Sequence, residues 1–145
     1  MNTARQGAFW DMIDGHLPPP PAARLLGWQL ISLNEETGEI SVAFDAKPDF
    51  VNPVGTVQGG FIAAMLDDTM GPAAAAFLGG QDFAQTLELK TSFLRAAKPG
   101  RLIGHARVVH RGKDVLFLEG RLENEAGDLI ATASATARRI AFAPR

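Results

Sequence analysis

One segment, residues 52–71, constrains the fold of this chain most. A loop that contains proline and glycine leads there into an apolar stretch, residues 58–77, which is predicted to form the only long helix. Asp67 and Asp68 lie inside this apolar stretch. Because an unpaired charge is costly to bury, two adjacent carboxylates in such a helix indicate a function or dedicated partners.

Length and composition limit the class of protein. The 145 residues, 46% of them apolar, suffice for a single domain, residues 1–145, with a real core. A net charge of −2 with mixed signs favours neither a nucleic acid nor a membrane partner. The chain has no cysteine, and no set of His, Asp and Glu has metal-ligand spacing, so no metal site is expected. Without a signal-peptide pattern at the N-terminus, we expect a cytoplasmic protein.

The remaining chain is predicted to contain mostly β-strands. Residues 3–16 are expected to form a short amphipathic helix and the prolines at 18–21 a stiff extended spacer. Period-two alternation predicts two strands before the long helix and four after it. These strands are residues 25–33, 40–44, 86–93, 101–111, 115–125 and 129–137. An antiparallel sheet wrapped around one central helix is the α+β arrangement called the hotdog fold.

Two details of the strands carry further expectations. Alanines at positions 131, 133, 135 and 137 form a flat face, on which the long helix is expected to lie closely. His105 and His110 are five positions apart in one strand and are therefore expected to face opposite ways.

The start of the long helix is a candidate binding site for a carbonyl oxygen. Backbone N–H groups at a helix N-terminus have no intrahelical acceptor, and the helix dipole is positive there. Gly59 and Gly60 carry no side chains that would keep a carbonyl group away. They are candidates for an oxyanion hole, with a carboxylate nearby as base or nucleophile, although glycines that only shape the loop are the alternative.

The spacing along the helix predicts a dimer. Asp67 follows Gly59 by eight residues, which is about 12 Å along one helix, too far for both to reach one carbonyl group. Two antiparallel copies of the helix would bring Gly59 of one protomer to the partner's Asp67, with two equivalent sites per dimer. Asp67 and Asp68 point about 100° apart, so only one of them is expected to be catalytic. Purely structural partners for both aspartates are the alternative.

The motifs of this chain resemble those of the PaaI-type acyl-CoA thioesterases of phenylacetate degradation, a hotdog family. The resemblance rests on Asn52, on Gln58 followed by Gly59-Gly60, and on Asp67. It continues in the segments 86–95, 98–100, 110–113, 119–122 and 133–136. It spans roughly residues 25–140, the expected hotdog core, and leaves residues 1–24 outside as a lead-in.

The resemblance implies hydrolysis of an acyl or aryl-acyl thioester of coenzyme A by a dimer or a dimer of dimers. It implies Asp67 as base or nucleophile, Gly59 as oxyanion donor and Asn52 as an amide near the carbonyl or the water. Thr86 matches a hydroxyl that helps to hold the water in some relatives. Without the family spacing, an Asx turn beside Pro53 would be the favoured explanation of Asn52.

The resemblance also suggests where coenzyme A binds, with no cofactor beyond this part of the substrate. Gly60 belongs to the substrate-binding loop, and Arg111, Gly112 and Lys113 match the family's phosphate contacts. An ordinary solvated turn explains these three residues about as well. Arg95 and Lys98 are similar candidates.

The acyl group has several candidate neighbours, although core packing explains each of them as well. The candidates are Trp28, Phe61, Met65, Met70 and Phe93.

The main departure from the family is Gln58, where histidine is usual. Glutamine still offers a hydrogen-bond donor, but it cannot change protonation near neutral pH. A non-catalytic acyl-CoA sensor is therefore an alternative function. A dehydratase is a weaker alternative because no histidine lies between His16 and His105 to pair with the carboxylate.

Overall fold

Six antiparallel strands form one sheet in the computed structural model, which describes residues 5–141. The chain begins with two short helices, α1 (Ala8–Ile13) and α2 (Pro21–Leu26), and its long helix is α3 (Gly59–Phe77). The strands are β1 (Gln29–Asn34), β2 (Glu39–Ala46), β3 (Asp82–Phe93), β4 (Gly100–Arg111), β5 (Val115–Asn124) and β6 (Leu129–Ala141). In the sheet they follow the order β1-β2-β4-β5-β6-β3, and α3 packs across its face. This architecture confirms the predicted α+β hotdog fold.

The region around the prolines differs from the prediction. Pro20 is extended, with φ −56° and ψ 158°, but Pro21 opens α2 instead of continuing the spacer. Proline suits the first position of a helix because its N–H would have no acceptor there and its φ is already helical. Helix α2 ends at Gly27, which has φ 69°, so the first strand starts at Gln29 and not near residue 25.

The long helix approaches the sheet most closely at glycines. A Cβ atom at Gly104 of β4 would overlap Thr69 Oγ1, and one at Gly120 of β5 would lie 3.2 Å from Met70 Cγ. The alanines of β6 are buried beneath the helix as predicted. Their flat face is nevertheless not the closest contact, because a residue without Cβ lets the helix come nearer than alanine does.

The prediction that His105 and His110 face opposite ways is wrong. His105 pairs with Arg121 and His110 with Phe117, and the ladder contains a β-bulge between Val108 and His110. Arg121 and Phe117 share a face of β5 because they are four residues apart, so the two histidines share that outer face. The extra residue of the bulge reverses the alternation.

Strand β3 forms one edge of the sheet. It pairs with β6 on one side and has no partner strand among residues 5–141 on the other. Phe83, Leu87 and Phe93 of this strand are 47%, 57% and 58% exposed, which leaves a long apolar edge uncovered. Within the described residues, none of the helices has the length and hydropathy needed to cross a bilayer.

Candidate active site

The N-terminus of α3 offers two free backbone donors. Two backbone hydrogen bonds hold the loop before it in place. Gln58 N–H donates to Phe50 O at 2.9 Å, and Val57 N–H donates to Ala97 O at 2.8 Å. The N–H groups of Gly59 and Gly60 have no acceptor among residues 5–141. Such a pair of unpartnered donors at the positive end of a helix favours a carbonyl oxygen or another anionic group.

The surroundings of these two glycines differ. A Cβ atom at Gly59 would lie 3.0 Å from Phe93 Cζ, so the ring of Phe93 covers one side of this residue. At Gly60 a Cβ atom would meet nothing within 4 Å, and the residue is exposed. The side chain of Gln58 is also exposed and does not cap the helix. Space beside the helix start is therefore open at Gly60 and Gln58, whereas Phe93 covers Gly59.

The amide of Asn52 is occupied by its own loop. Its Oδ1 accepts from the N–H groups of Val54 and Thr56, both at 3.1 Å, and its Nδ2 donates to Thr56 Oγ1 at 2.9 Å. This is the Asx-turn arrangement that explains the residue without a catalytic role. The expected contact of Asn52 with a substrate carbonyl or water stays a prediction.

Asp67 lies on the side of α3 that faces β3. Its Oδ1 accepts a hydrogen bond of 2.8 Å from Thr86 Oγ1, and both residues are half-buried. The structure thus brings these two predicted site residues together. A carboxylate held in one orientation by a hydroxyl is suited to accept a proton from water or to attack a carbonyl carbon.

Asp68 lies in a different environment from its neighbour. Its backbone oxygen accepts a hydrogen bond of 3.0 Å from Trp28 Nε1, while its buried Oδ2 has no partner among the described residues. Burial, and then the negative charge of Asp67, raise the pKa of the Asp68 carboxyl from 3.8 to about 7. The side chains of the two aspartates therefore lie in different environments, as their angular separation on the helix predicts.

One chain does not bring all the predicted residues together. Gly59 and Asp67 are both part of α3, so the spacing of about 12 Å along the helix remains. The turn of Arg111, Gly112 and Lys113 lies at the other end of this helix. The Arg111 guanidinium is 5.9 Å from the centroid of the Phe77 ring, at the last residue of α3.

The candidate neighbours of the acyl group separate into two groups. Met65 and Met70 are fully buried in the core, and Phe61 stacks on Phe50 with 4.1 Å between the ring centroids. Trp28, in contrast, lines a cavity together with Asp68.

The sequence does not predict the contribution of α1 to this cavity. Phe9 and Met12 of α1 lie in its wall. Their apolar pattern predicts an amphipathic helix, but no local signal tells where that helix packs. Among residues 5–141, no three His, Asp or Glu side chains come close enough together to hold a metal ion.

Comparison with known proteins identifies similar sequences and structures. A family model described as "Thioesterase superfamily" matches residues 54–131. A protein of Saccharolobus solfataricus named "Putative esterase" is 31% identical over 101 residues, which are 70% of this chain and 71% of that protein.

Two solved structures extend the comparison. The crystal structure of a protein from Ralstonia eutropha JMP134, described as a putative thioesterase and phenylacetic acid degradation-related protein, has a TM-score of 0.86 and 39% identity. The match covers 92% of this chain and 100% of that one. A Streptococcus mutans protein bound to acetyl CoA has a TM-score of 0.70 and 22% identity, over 79% of this chain and 89% of its own, and shares the fold.

Proposed function

Because this chain belongs to the thioesterase superfamily, we propose that it hydrolyses an acyl-CoA thioester to the free acid and coenzyme A. The observation that carries the proposal is that α3 begins with two N–H groups that have no acceptor within residues 5–141, and bears a carboxylate held by Thr86. These are the two parts that hydrolysis of a thioester requires, a donor pair for the oxyanion and a base or nucleophile. Coenzyme A enters as part of the substrate, and no further cofactor is proposed.

The reaction follows from the roles of these groups. The carbonyl oxygen accepts hydrogen bonds from the N–H groups of Gly59 and Gly60, which stabilise the negative charge as it develops. Asp67 takes a proton from water while the water oxygen bonds to the carbonyl carbon, or its own oxygen attacks that carbon first. The C–S bond then breaks, and the coenzyme A thiolate takes up the proton that the water loses. If Asp67 attacks directly, water hydrolyses the anhydride that it forms with the acyl group, which releases the acid and restores the carboxylate. The hydroxyl of Thr86 keeps the carboxylate oriented during these steps.

A two-fold dimer is part of the proposal. Its support is the separation of Gly59 from Asp67 along one helix and the long apolar edge of β3. Natural proteins rarely leave such an edge strand open, because its backbone groups pair readily with another strand. Pairing of β3 with the partner's β3 would put the two α3 helices side by side and antiparallel, with Gly59 near the partner's Asp67. Assembly into a dimer of dimers and a cytoplasmic location remain predictions from the sequence.

Binding of coenzyme A is supported by the acetyl CoA bound to the Streptococcus mutans protein and by the turn at Arg111 to Lys113. Arg111 lies beside Phe77, ten residues or about 15 Å beyond Asp67 on α3. An extended pantetheine arm spans such a length between the thioester and the phosphates. Arg111 and Lys113 are both exposed, so their charges are available to phosphate groups.

The proposal is tested with a thiol-release assay on acetyl-, octanoyl- and benzoyl-CoA. Asp67→Asn is expected to lower kcat by at least about a hundredfold, since a positioned base contributes on that scale. Gly59→Pro removes the N–H group at the first position of α3, where proline is well tolerated, and is expected to lose activity similarly. Gly59→Ala keeps the N–H group and is the matched control for the added side-chain volume.

Mixing the two inactive variants tests the shared site. In a heterodimer of Asp67→Asn and Gly59→Pro, one site carries both changes and the other carries neither. Random exchange of subunits is therefore expected to restore about a quarter of the unaltered activity. No recovery after confirmed subunit exchange contradicts a site built from two protomers.

A non-catalytic acyl-CoA sensor is the second candidate function. It is favoured by Gln58, whose exposed side chain stands where the family resemblance leads us to expect histidine, and by the amide of Asn52, which is occupied within its loop. Tight binding of acyl-CoA without turnover of any of the three thioesters would support the sensor and contradict the thioesterase.

A further inference from the structure

Helix α3 contains a proline shortly after the proposed catalytic carboxylate. Pro72 lies inside the helix, and proline has no backbone N–H group. In an α-helix the N–H of each residue donates to the carbonyl oxygen four positions earlier, so Pro72 leaves the carbonyl oxygen of Asp68 without its regular donor. The ring of an internal proline also crowds this same carbonyl group. The helix is therefore weakened directly behind Asp67.

Trp28 supplies the missing donor from outside the helix. Its indole Nε1–H donates to the carbonyl oxygen of Asp68 at 3.0 Å, although the two residues are 40 positions apart in the sequence. Trp28 is only 8% exposed, so its indole is held in the protein interior. A carbonyl oxygen that is buried without a donor costs stability. The indole thus replaces the hydrogen bond that Pro72 cannot make.

The end of helix α2 holds the backbone of Trp28 in place for this contact. Gly27 N–H donates to Arg24 O at 3.1 Å. Trp28 N–H donates to Ala23 O at 3.0 Å. These are the two hydrogen bonds of a Schellman motif, in which one residue is left-handed, here Gly27 with φ 69°. A Cβ atom at Gly27 would lie 2.7 Å from Asp45 Cβ, so a side chain at this position would clash with β2.

The position of Asp67 depends on this part of the helix. In α3 the carbonyl oxygen of Asp67 accepts from the N–H of Gly71, and the next carbonyl, that of Asp68, accepts from Trp28. After proline, glycine is the least favourable residue in a helix, so Gly71 weakens the same turn. Thr86 holds the carboxylate of Asp67 from β3. Trp28 holds the main chain beside it. A catalytic group that is displaced by about 1 Å can lose about a hundredfold in rate.

We propose that Trp28 is a positioning residue for the thioesterase reaction. Its indole N–H fixes the backbone of α3 behind Asp67 and thereby keeps the carboxylate in the orientation in which it reacts. The inference rests on the proposed function and adds to it a residue that acts only through Asp67.

A double-mutant cycle with Pro72 tests the inference on the acyl-CoA that the unaltered protein hydrolyses fastest. Trp28→Phe keeps a large apolar ring but removes the donor, and is expected to lower kcat about tenfold or more with little change in KM. Pro72→Ala returns a backbone N–H to the helix, which can donate to the carbonyl oxygen of Asp68 in place of the indole. In the Pro72→Ala background, Trp28→Phe is therefore expected to change kcat by less than about twofold.

Trp10→Phe is the matched control. The indole N–H of Trp10 also donates to a backbone oxygen, that of Gly79 at 2.9 Å, and Trp10 is 3% exposed. Gly79 lies beyond the end of α3, about 18 Å along the helix from Asp67. Loss of this hydrogen bond is expected to lower stability in urea but to leave kcat unchanged, both with and without Pro72→Ala.

The outcomes separate positioning from the other roles that Trp28 could have. A rise in KM at unchanged kcat would place Trp28 against the substrate and overturn the inference. A loss of kcat that persists in the Pro72→Ala background also overturns it, because the missing N–H would then not be the cause. Equal losses of kcat in Trp28→Phe and Trp10→Phe would show a general effect of stability. In each of these cases the thioesterase proposal stands.

Amide hydrogen exchange tests the contact without turnover. If the unaltered protein hydrolyses no thioester, the proposed function is wrong. Faster exchange of the Gly71 N–H in Trp28→Phe, reversed by Pro72→Ala, would still support the conclusion that the indole holds the helix behind Asp67. Exchange that Trp28→Phe leaves unchanged would overturn that conclusion as well.

Discussion

Thr86 donates a hydrogen bond to Asp67, with 2.8 Å between Thr86 Oγ1 and Asp67 Oδ1. The bond connects the edge strand β3 with the central helix α3. It orients the carboxylate at a point of the helix where the neighbouring Asp68 turns towards the N-terminal helices. In the proposed reaction Thr86 is a positioning residue, because it would act on the reacting atoms only through Asp67.

Replacement of Thr86 separates positioning from binding. We expect Thr86→Val to lower kcat about ten- to a hundredfold with little change in KM, because a hydrogen bond to a charged group is worth about 1.5–3 kcal/mol. Thr86→Ser keeps the hydroxyl and is expected to restore most of kcat. Steady-state kinetics of the three proteins on one acyl-CoA decide this. A rise in KM alone would show that Thr86 holds the substrate instead of the carboxylate.

Asp68 makes stability depend on pH. Its folded-state pKa of about 7 lies above the usual 3.8, so the folded protein binds more protons than the unfolded chain between these values. Stability from this group is therefore lost as pH rises from about 4 to about 7, and the loss is complete above that range. Asp68→Asn removes the effect and is expected to stabilise the protein by about 1–3 kcal/mol at pH 8, but hardly at pH 4.

Urea unfolding at pH 4.5 and pH 8 measures this difference. Asp49→Asn, at an exposed residue near the start of the loop before α3, controls for the loss of one negative charge. Equal stabilisation by Asp68→Asn at both pH values would show that its buried carboxyl does not carry the pH dependence.

The sequence predicts most of the fold because the long elements have clear periods. The apolar stretch of α3 and the alternation of β3 to β6 identify the elements and their order. The predictions are wrong where a single residue changes the local secondary structure or the alternation of side chains. Pro21 begins a helix inside a proline run, and the bulge before His110 reverses the direction of that side chain.

The site is predictable in part for a similar reason. Gly59 and Asp67 belong to one helix, so their spacing follows directly from the sequence, and the family resemblance places the Thr86 hydroxyl on a water near the acid, although it does not predict the direct hydrogen bond to Asp67. The contact between Trp28 and Asp68 joins residues 40 positions apart, and no local pattern encodes it. The cavity beneath α1 depends on this contact and on the packing of the N-terminal helices, so only the folded structure shows it.

The exposed edge of β3 predicts the effect of a charge placed on it. If the proposed dimer pairs through β3, Leu87→Lys is expected to give a monomer and to lower activity with it, because a lysine on an edge strand opposes pairing with another strand. Light scattering gives the mass, and the thiol-release assay gives the activity. Val109→Lys changes an exposed apolar residue of β4, which is inside the sheet, and is expected to keep the dimer. A fully active monomer would contradict the shared site.

The turn at Arg111 predicts a difference between coenzyme A and a shorter thiol. If Arg111 and Lys113 bind the phosphates, the double variant Arg111→Ala and Lys113→Ala is expected to raise KM for benzoyl-CoA about tenfold or more. Its KM for benzoyl-pantetheine, which lacks the nucleotide, should not change. Arg95→Ala and Lys98→Ala provide the comparison, since these exposed cations flank Ala97, which bonds the loop before α3, and are the other candidates. If KM for benzoyl-CoA rises only in the Arg95→Ala and Lys98→Ala variant, the phosphates bind near the start of α3 instead. Only the cations that contact the phosphates can affect benzoyl-CoA and leave benzoyl-pantetheine unchanged.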